Sequence, residues 1–525
     1  MKIPFLRARE KRAAEPSALS DVAPQKKRQW FGRSLLGGMF KGAEDSPRDK
    51  WNGTPVSPDA FITRYHARLV ARSREQWSNN DYVKKFVALV RQNIVGPHGV
   101  RMQAKATKPR GALDKDTNAA IEAEWCDWGK KGNCDVTGQL SWREVECLAL
   151  ETCARDGEFF IRKVFGADAG PHGFAVQFID NMRCPVWYEN YNRDGNGGFI
   201  RHGIEFNRYG RPIAYHFAST DEWDAYYYTY AGQGFVRIPA NEIIHGFVHE
   251  MVGQRRGIPW AATSLFRLHH MQGFEDAAVQ NARASATKMG FIQYKDGFGP
   301  EVDDDTNVAD SIDAEPLSFH ELPEGAELKD WNPTYPSGEF AAFNKAMLRG
   351  AASGMGVPYN ELANDLEGVN FSSIRQGTLD AREGYKEKQQ WLIESLHEQV
   401  HGEWIKYKLL RGDIKVRSVP LEASKLANYS QVRWQPRRWA WIDPRADVQA
   451  AIEAIRAGLT TVSQVIREQG RDPEAVFTEF AEDLKAMKAA GIPDEIITAF
   501  LLGELPPPPP EAANDNASKP DKAAA

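Results

Sequence analysis

Two short stretches carry residue types and spacings that could do chemistry. "HEQVH", His397 to His401, is a literal H-E-x-x-H. On a helix its two histidines fall one turn apart on one face, where both could hold zinc. Glu398 would then act as general base, and Glu422 stands at a workable distance for a third ligand. The flanks argue otherwise: Glu394 and Glu403 sit where zinc-peptidase helices carry uncharged or apolar residues, and no second histidine motif follows. A solvated helix face is the plainer reading, with a zinc-dependent hydrolase as the alternative. The second stretch, "NDLEGVNFSSIRQG", runs from Asn364 to Gly377. Its paired serines have no neighbouring histidine or lysine to activate a hydroxyl. Ser372 and Ser373 read instead as N-capping residues of a long helix that starts just after Asn370.

Other catalytic signatures are missing from the sequence. There is no G-x-x-x-x-G-K-[ST] loop to cradle a nucleotide phosphate and no G-x-S-x-G nucleophile elbow. His245 and His249 lie four apart in a strand-like run, so they would not converge and read as packing or surface residues. "QRRG", Gln254 to Gly257, reads as an exposed basic turn before a helix rather than a phosphate-binding turn. The aromatic run "EWDAYYYTY" reads as edge-strand packing, because no basic stripe accompanies it. Five scattered cysteines, Cys126, Cys134, Cys147, Cys153 and Cys184, form no C-x-x-C and read as reduced core thiols of a cytosolic protein. No cofactor is expected.

The elements that must position these residues follow from periodicity. Residues 59–95 are helical in pattern, with Val83, Phe86, Val87 and Val90 on one face and Gly96-Pro97 as the stop. Residues 118–129 and 141–156 also read as helices. The period then drops to two in "EFFIRKVFG", "GFAVQFID", "IRHGIEFN", "RPIAYHFAS" and "EIIHGFVH", giving a strand-rich block over about 157–250 and an α+β fold class. Helical spacing returns at 263–288 and in "GEFAAFNKAMLRGAASG". Between them, residues 296–330 hold twelve acids and one base, Lys329. The long helix from Ser372 into Tyr407 carries Leu392, Leu396, Val400 and Trp404 as an i, i+4 stripe. After it, Asp443-Pro444, Thr461 and Asp472-Pro473 start, and Gly458, Gly470 and Gly491 stop, a small helical bundle.

At 525 residues with 42% apolar content the chain can bury a sizeable core. A net charge of −5 argues against a general nucleic-acid coat. Residues 1–50 hold twelve Lys/Arg against six Asp/Glu and read as a flexible basic arm, while 504–525 form a Pro/Ala-rich disordered tail. The sequence contains no apolar run long enough to span a bilayer and no signal peptide, so a soluble protein is expected.

The order of "ARSREQWSNNDYVKKFVALVRQNIVG", "ECLALETCARDGEFFIRKV", "HGIEFNRYGRPIAYHF", "IPANEIIHGF", "GQRRGIPW" and "GMGVPYNELANDLEGVNFSSIRQGTLDAREGY" resembles the lambda-type portal proteins of tailed bacteriophages, over roughly residues 60–480. The resemblance implies a non-enzymatic ring, usually of twelve subunits, at one vertex of the phage head. Double-stranded DNA would be packaged and ejected through its central channel. It further implies a wing over 51–261, stem helices at 262–288 and 338–358, and an acidic clip at 289–337. A tunnel loop would follow at 359–372, then a spine helix with wing return at 373–442 and a crown at 443–503. Implied partners are the terminase large subunit, the head-tail connector, the major capsid protein and scaffolding protein, with assembly in the host cytoplasm and no membrane.

On that reading the polar loop needs no catalysis. Duplex DNA carries about one charge per 1.7 Å of axis, and a channel lined with lysine and arginine would grip it. Short polar groups and carboxylates let it slide. Asn364, Asp365, Glu367, Gly368, Asn370 and Ser372 suit that role, and Arg375 would offer an occasional phosphate contact. In the clip, Asp303, Asp304, Asp305, Asp310, Asp313 and Glu315 are the candidates for steering a basic partner surface.

Overall fold

Asn80 divides the first helical stretch in two. Its side chain accepts hydrogen bonds from the backbone N–H of Tyr82 (3.0 Å) and Val83 (3.2 Å), so α1 (Pro58–Asn79) ends and α2 (Asp81–Ile94) begins there. The structure is a computed structural model; it describes residues 55–190, 198–219, 234–286, 290–294, 326–330, 340–368 and 370–497. From Ser57 onward these belong to one unit. β1 (Arg101–Ala104) leads to α3 (Lys115–Trp128) and α4 (Trp142–Asp156). A reciprocal Ser141–Glu144 capping box opens α4, and Gly157 at φ +95° closes it.

β2 (Glu158–Phe165) is the strand on which two cores meet. It lies between β3 (Phe174–Ile179) and the later β8 (Ile243–Phe247), antiparallel to both. Alternate side chains point to opposite faces. Phe159 and Ile161 therefore enter the larger core with the helices, while Phe160 enters a smaller core with Ile204, Phe206, Tyr215 and Phe217. That second core belongs to a four-stranded antiparallel sheet of β4 (Phe199–Arg201), β5 (Ile204–Phe206), β6 (Pro212–Ala218) and β7 (Phe235–Pro239). "IRHGIEFN" is thus a hairpin, not one strand. His202 (φ 54°) and Gly203 (φ 76°) form its two-residue turn, the mirror-image type that matches strand twist. β7 had no counterpart among the expected strands, and "EWDAYYYTY" lies outside the described residues.

The remaining helices follow the sequence closely. α5 (Leu265–Ala286) runs antiparallel to α6 (Phe340–Met355), since Ser264 meets Ala351 while Glu275 meets Asn344 and Phe274 stacks on Phe340. Between them β9 (Gly290–Tyr294) and β10 (Ala326–Asp330) form an antiparallel ribbon, where only an acidic helix break was expected. α7 (Tyr359–Ala363) precedes α8 (Phe371–Leu392), which passes through a π-helical turn at Ile393–His397 into α9 (Glu398–Arg411). The short β11 (Lys415–Val416), β12 (Val419–Pro420) and α10 (Leu426–Tyr429) lead to β13 (Val432–Gln435), which pairs with β1. α11 (Pro444–Arg456), α12 (Val462–Glu468) and α13 (Pro473–Ala489) carry the expected caps: Asp443, Thr461 and Asp472 each accept from a first-turn N–H. Gly458, Gly470 and Gly491, all at positive φ, follow them.

The π turn explains how a strict i, i+4 stripe stays on one face. Four residues of α-helix advance about 400°, so each step overshoots by about 40°. The wider turn, closed by Glu398 N–H donating to Ile393 O, unwinds that drift. Leu392, Leu396, Val400 and Trp404 are all fully buried as a result.

The same geometry overturns the solvated reading of "HEQVH". Trp125, Trp128, Trp142, Trp404 and Trp434 form one aromatic cluster with ring centroids 4.8–6.4 Å apart, and both histidines sit inside it. His397 lies 5.1 Å from the Trp434 ring and 5.6 Å from Trp142, and His401 lies 5.6 Å from Trp125. His397 Nε2 is hydrogen-bonded to Glu146 Oε1 at 2.8 Å. Burial pushes the His401 imidazole down to about 4, so it is neutral in the folded chain.

"QRRG" is likewise not an exposed basic turn. Arg256 is fully buried and donates Nε–H to both oxygens of Glu158 (2.8 and 3.0 Å), which is also fully buried. Its remaining N–H groups reach the carbonyls of Cys184, His202 and Asn181. Glu158 further accepts from His245 Nε2 (2.9 Å) and the backbone of Gly257 (2.9 Å), and His66 lies 3.4 Å away. Burial opposes ionisation of Glu158, but Arg256 and these hydrogen bonds outweigh it and hold the carboxyl well below the usual range. His245 is a partner in this cluster, while His249 is exposed beside Phe247. Cys134, Cys147, Cys153 and Cys184 are buried free thiols, and Cys126 is exposed.

Two outcomes are expected. Removing one partner of the buried pair, as in Glu158→Gln, leaves Arg256 uncompensated and lowers stability by about 3–5 kcal/mol in denaturant unfolding; Glu158→Gln with Arg256→Met recovers part of it. His401 must stay neutral when folded but protonates near its ordinary 6.5 when unfolded. Its contribution is therefore present above about pH 6.5 and lost as pH falls towards about 4. His401→Phe should make the stability loss between pH 7 and 5 shallower, by about 2 kcal/mol at pH 5.

Candidate functional site

The polar loop after α7 is fastened at both ends. Asn364 takes the left-handed conformation (φ 52°, ψ 32°) and turns the chain out of α7. Asp365 then folds back. It accepts from Tyr359 Oη (2.7 Å) and from the Glu367 backbone (2.9 Å), and pairs with Lys345 Nζ of α6 at 2.7 Å. The Lys345 and Tyr359 hydrogen bonds hold its carboxyl far below the usual carboxylate range. Burial and the same hydrogen bond push the Tyr359 hydroxyl up to about 12. Arg349 lies over the Tyr359 ring at 5.4 Å, closing this side of the loop.

Beyond Asp365 the chain is open to solvent. Leu366 and Glu367 are 65% and 89% exposed, and Gly368 (φ 69°) makes the turn with empty space around its Cα. A side chain there would meet no steric obstacle but would strain the backbone. Asn370 is the N-cap of α8, accepting from Ser373 N–H at 2.8 Å. The cap is therefore Asn370 and not Ser372 or Ser373, which stand exposed in the first turn. On the far side Arg375 donates to Asp447 of α11 at 3.1 Å, and Asp447 also accepts from the Asp443 backbone.

The expected site residues thus fall into two sets. Asn364, Glu367, Gly368, Asn370 and Ser372 are exposed along one short stretch. Asp365 and Arg375 are held by partners within the chain, so they set where the loop sits rather than presenting free charges. Lys345 and Tyr359, which anchor Asp365, escaped the sequence reading because they lie on preceding helices. The clip candidates Asp303, Asp304, Asp305, Asp310, Asp313 and Glu315 lie outside the described residues. So do the basic arm and the Pro/Ala-rich tail.

His397, His401 and Glu422 do not come together as a metal site. His397 is engaged by Glu146, His401 is enclosed by tryptophans, and exposed Glu422 pairs with Lys425 at 3.1 Å. Among the described residues, no group of three His, Cys, Asp or Glu side chains is placed to hold a metal ion.

Cutting the Asp365 anchor should loosen the loop while leaving the core intact. Asp365→Asn or Lys345→Met is expected to speed hydrogen exchange several-fold in peptides covering 359–375 and leave those covering α4 and β2 unchanged. Because Lys345 and Tyr359 keep the carboxyl ionised, protection of these amides relative to their intrinsic exchange rates should stay constant in the parent chain down through the ordinary carboxylate range.

Comparison with known proteins places the sequence in a family. Residues 44–389 match the family described as "Phage portal protein, lambda family". A probable portal protein of Halomonas phage phiHAP-1 is 35% identical over 479 residues, covering 89% of this chain and 90% of its own length. Portal protein B of Escherichia phage lambda is 21% identical, covering 91% of this chain and 94% of its own. The neck of a native gene transfer agent particle, computed with C12 symmetry, covers 77% of this chain and 94% of its own at 14% identity, with a TM-score of 0.40. The family match across well over half of the sequence and the 35% identity across 89% of it establish that this chain belongs to the lambda family of phage portal proteins, structural and non-enzymatic components of the virion.

Proposed function

We propose that copies of this chain form a ring of about twelve subunits around a channel for double-stranded DNA, with the loop from Asn364 to Ser372 facing that channel. The observation that carries the reading is the loop itself. It projects exposed, short polar and acidic groups between two helices; Lys345 and Arg375 are neutralised by Asp365 and Asp447, and Arg349 lies over the Tyr359 ring. A surface of that kind offers phosphates little to hold, so a duplex moves past it with weak, sequence-independent contact.

On this reading α5 and α6 are the stem. The segment between them, whose ends are joined by the β9–β10 ribbon, is the clip that docks the terminase large subunit and later the head-tail connector. Its sequence carries a net charge of −11 over residues 296–330, which favours a basic partner surface. The strand-rich block is the wing, α8 and α9 the spine, and α11 to α13 the crown. The major capsid protein and scaffolding protein contact the ring during head assembly. Energy for translocation comes from the separate motor, since this sequence has no nucleotide-binding loop.

Class averages of the purified 58.9 kDa chain by electron microscopy, with its mass in solution, test the proposal. Rings of about twelve subunits with an axial hole wide enough for a duplex are expected. Closed rings too narrow for a duplex would overturn the conduit reading.

A further inference from the structure

A groove of about 600 Å3 opens beside the polar loop, between α2, the Gly96–Pro97 turn and the chain after β13. Lys85, Arg91, Arg143 and Arg437 line it, together with Asn364 and a single carboxylate, Glu361. Arg91 is paired with Glu151 at 2.8 Å. The other three cations have no carboxylate within ion-pair distance among the described residues. Arg143 spends Nε and Nη2 on the Gly96 carbonyl, and Arg437 spends Nη1 on the Gln92 carbonyl, so each keeps N–H groups uncommitted. Lys85 makes no described hydrogen bond.

Within the groove only Glu361 offsets these cations, from beyond ion-pair distance. Burial and the nearby Arg382 guanidinium both disfavour the charged form of Arg437, and burial drives Glu361 towards its neutral form. Like charges gathered in a part-buried concavity are costly unless an anion joins them. Planar guanidinium forks and a compact ammonium lining one groove suit a tetrahedral oxyanion.

We propose that this groove is a phosphate-binding site, with Lys85, Arg143 and Arg437 as its ligands. The inference rests on the groove alone and not on the channel reading of the adjacent loop. The phosphate is either free in solution or part of a DNA backbone, and the two sources are separable.

The full-length chain would be melted in sodium phosphate and in sodium chloride at matched ionic strength and pH. Phosphate should raise the midpoint above chloride, and Lys85→Gln, which removes no described contact, should shrink that shift. Adding Arg437→Lys, which keeps the charge but loses the fork, tests the geometry and should shrink it further. A fluorescein-labelled short duplex, followed by anisotropy with and without Lys85→Gln, separates the sources. Weaker duplex binding in the variant marks a backbone phosphate, and unchanged binding marks the free ion. Equal midpoints in the two salts, or a phosphate shift that survives in the double variant, would overturn the proposal. So would a Lys85→Gln chain whose oligomeric mass changes while its phosphate shift does not, since the groove would then serve a second copy.

Discussion

A fully buried carboxylate and guanidinium, Glu158 and Arg256, hold the two cores in register. Each charge would be prohibitive alone at that depth, and the arrangement is tolerable because Arg256 spends its N–H groups on Glu158 and on the carbonyls of Cys184, His202 and Asn181. Glu158 stands at the start of the strand that feeds both cores. Arg256 comes from the turn just before α5, and its fork reaches the carbonyl of His202 at the tip of the β4–β5 hairpin. That bond helps keep a non-glycine residue in the left-handed region, where the ring of His202 is also within 2.9 Å of Thr63 on α1. One ion pair therefore ties the first helix, the central strand, the second sheet and the root of α5 together. The neighbouring Asp59, bonded to both Arg201 and Arg255, and Asp156, bonded to Arg74 and Arg155, extend the same solution outward.

The larger core is organised on a different principle. Five tryptophans and two histidines meet where α3, α4, α9 and β13 converge, and their edge-to-face contacts supply area and direction at once. The π turn is what brings both histidines into this cluster. Helix, aromatic cluster and polar loop are mechanically continuous, because α8 begins at the loop and ends at the turn.

Much of this was legible in the sequence, and the failures share a cause. Caps at Asp443, Thr461 and Asp472, the stops at Gly458 and Gly470, and the apolar stripe of the long helix are local signals, read correctly because neighbours in sequence decide them. "IRHGIEFN" was misread because His202 occupies a turn position that usually takes Asn or Asp. "QRRG" and "HEQVH" were misread because charged and titratable residues are normally exposed, and their partners Glu158 and Glu146 lie far away in the chain. The loop's polar composition was visible, whereas its anchoring by Lys345 and Asp447 was not. The antiparallel ribbon at the base of the acidic segment gave no signal, since "AELKD" alternates too weakly to declare a strand.

That ribbon has a bearing on how the chain varies. Backbone bonds pair Tyr294 with Ala326 and Gly290 with Asp330, so the ends of the intervening segment are clamped side by side before the two helices are reached. For a closed segment, the entropic cost of additional length grows only with its logarithm, about 0.6 kcal/mol for each doubling. A change of length between the two strands therefore costs the ribbon that closes them little, and the roots of α5 and α6 stay tied through the same backbone pairing.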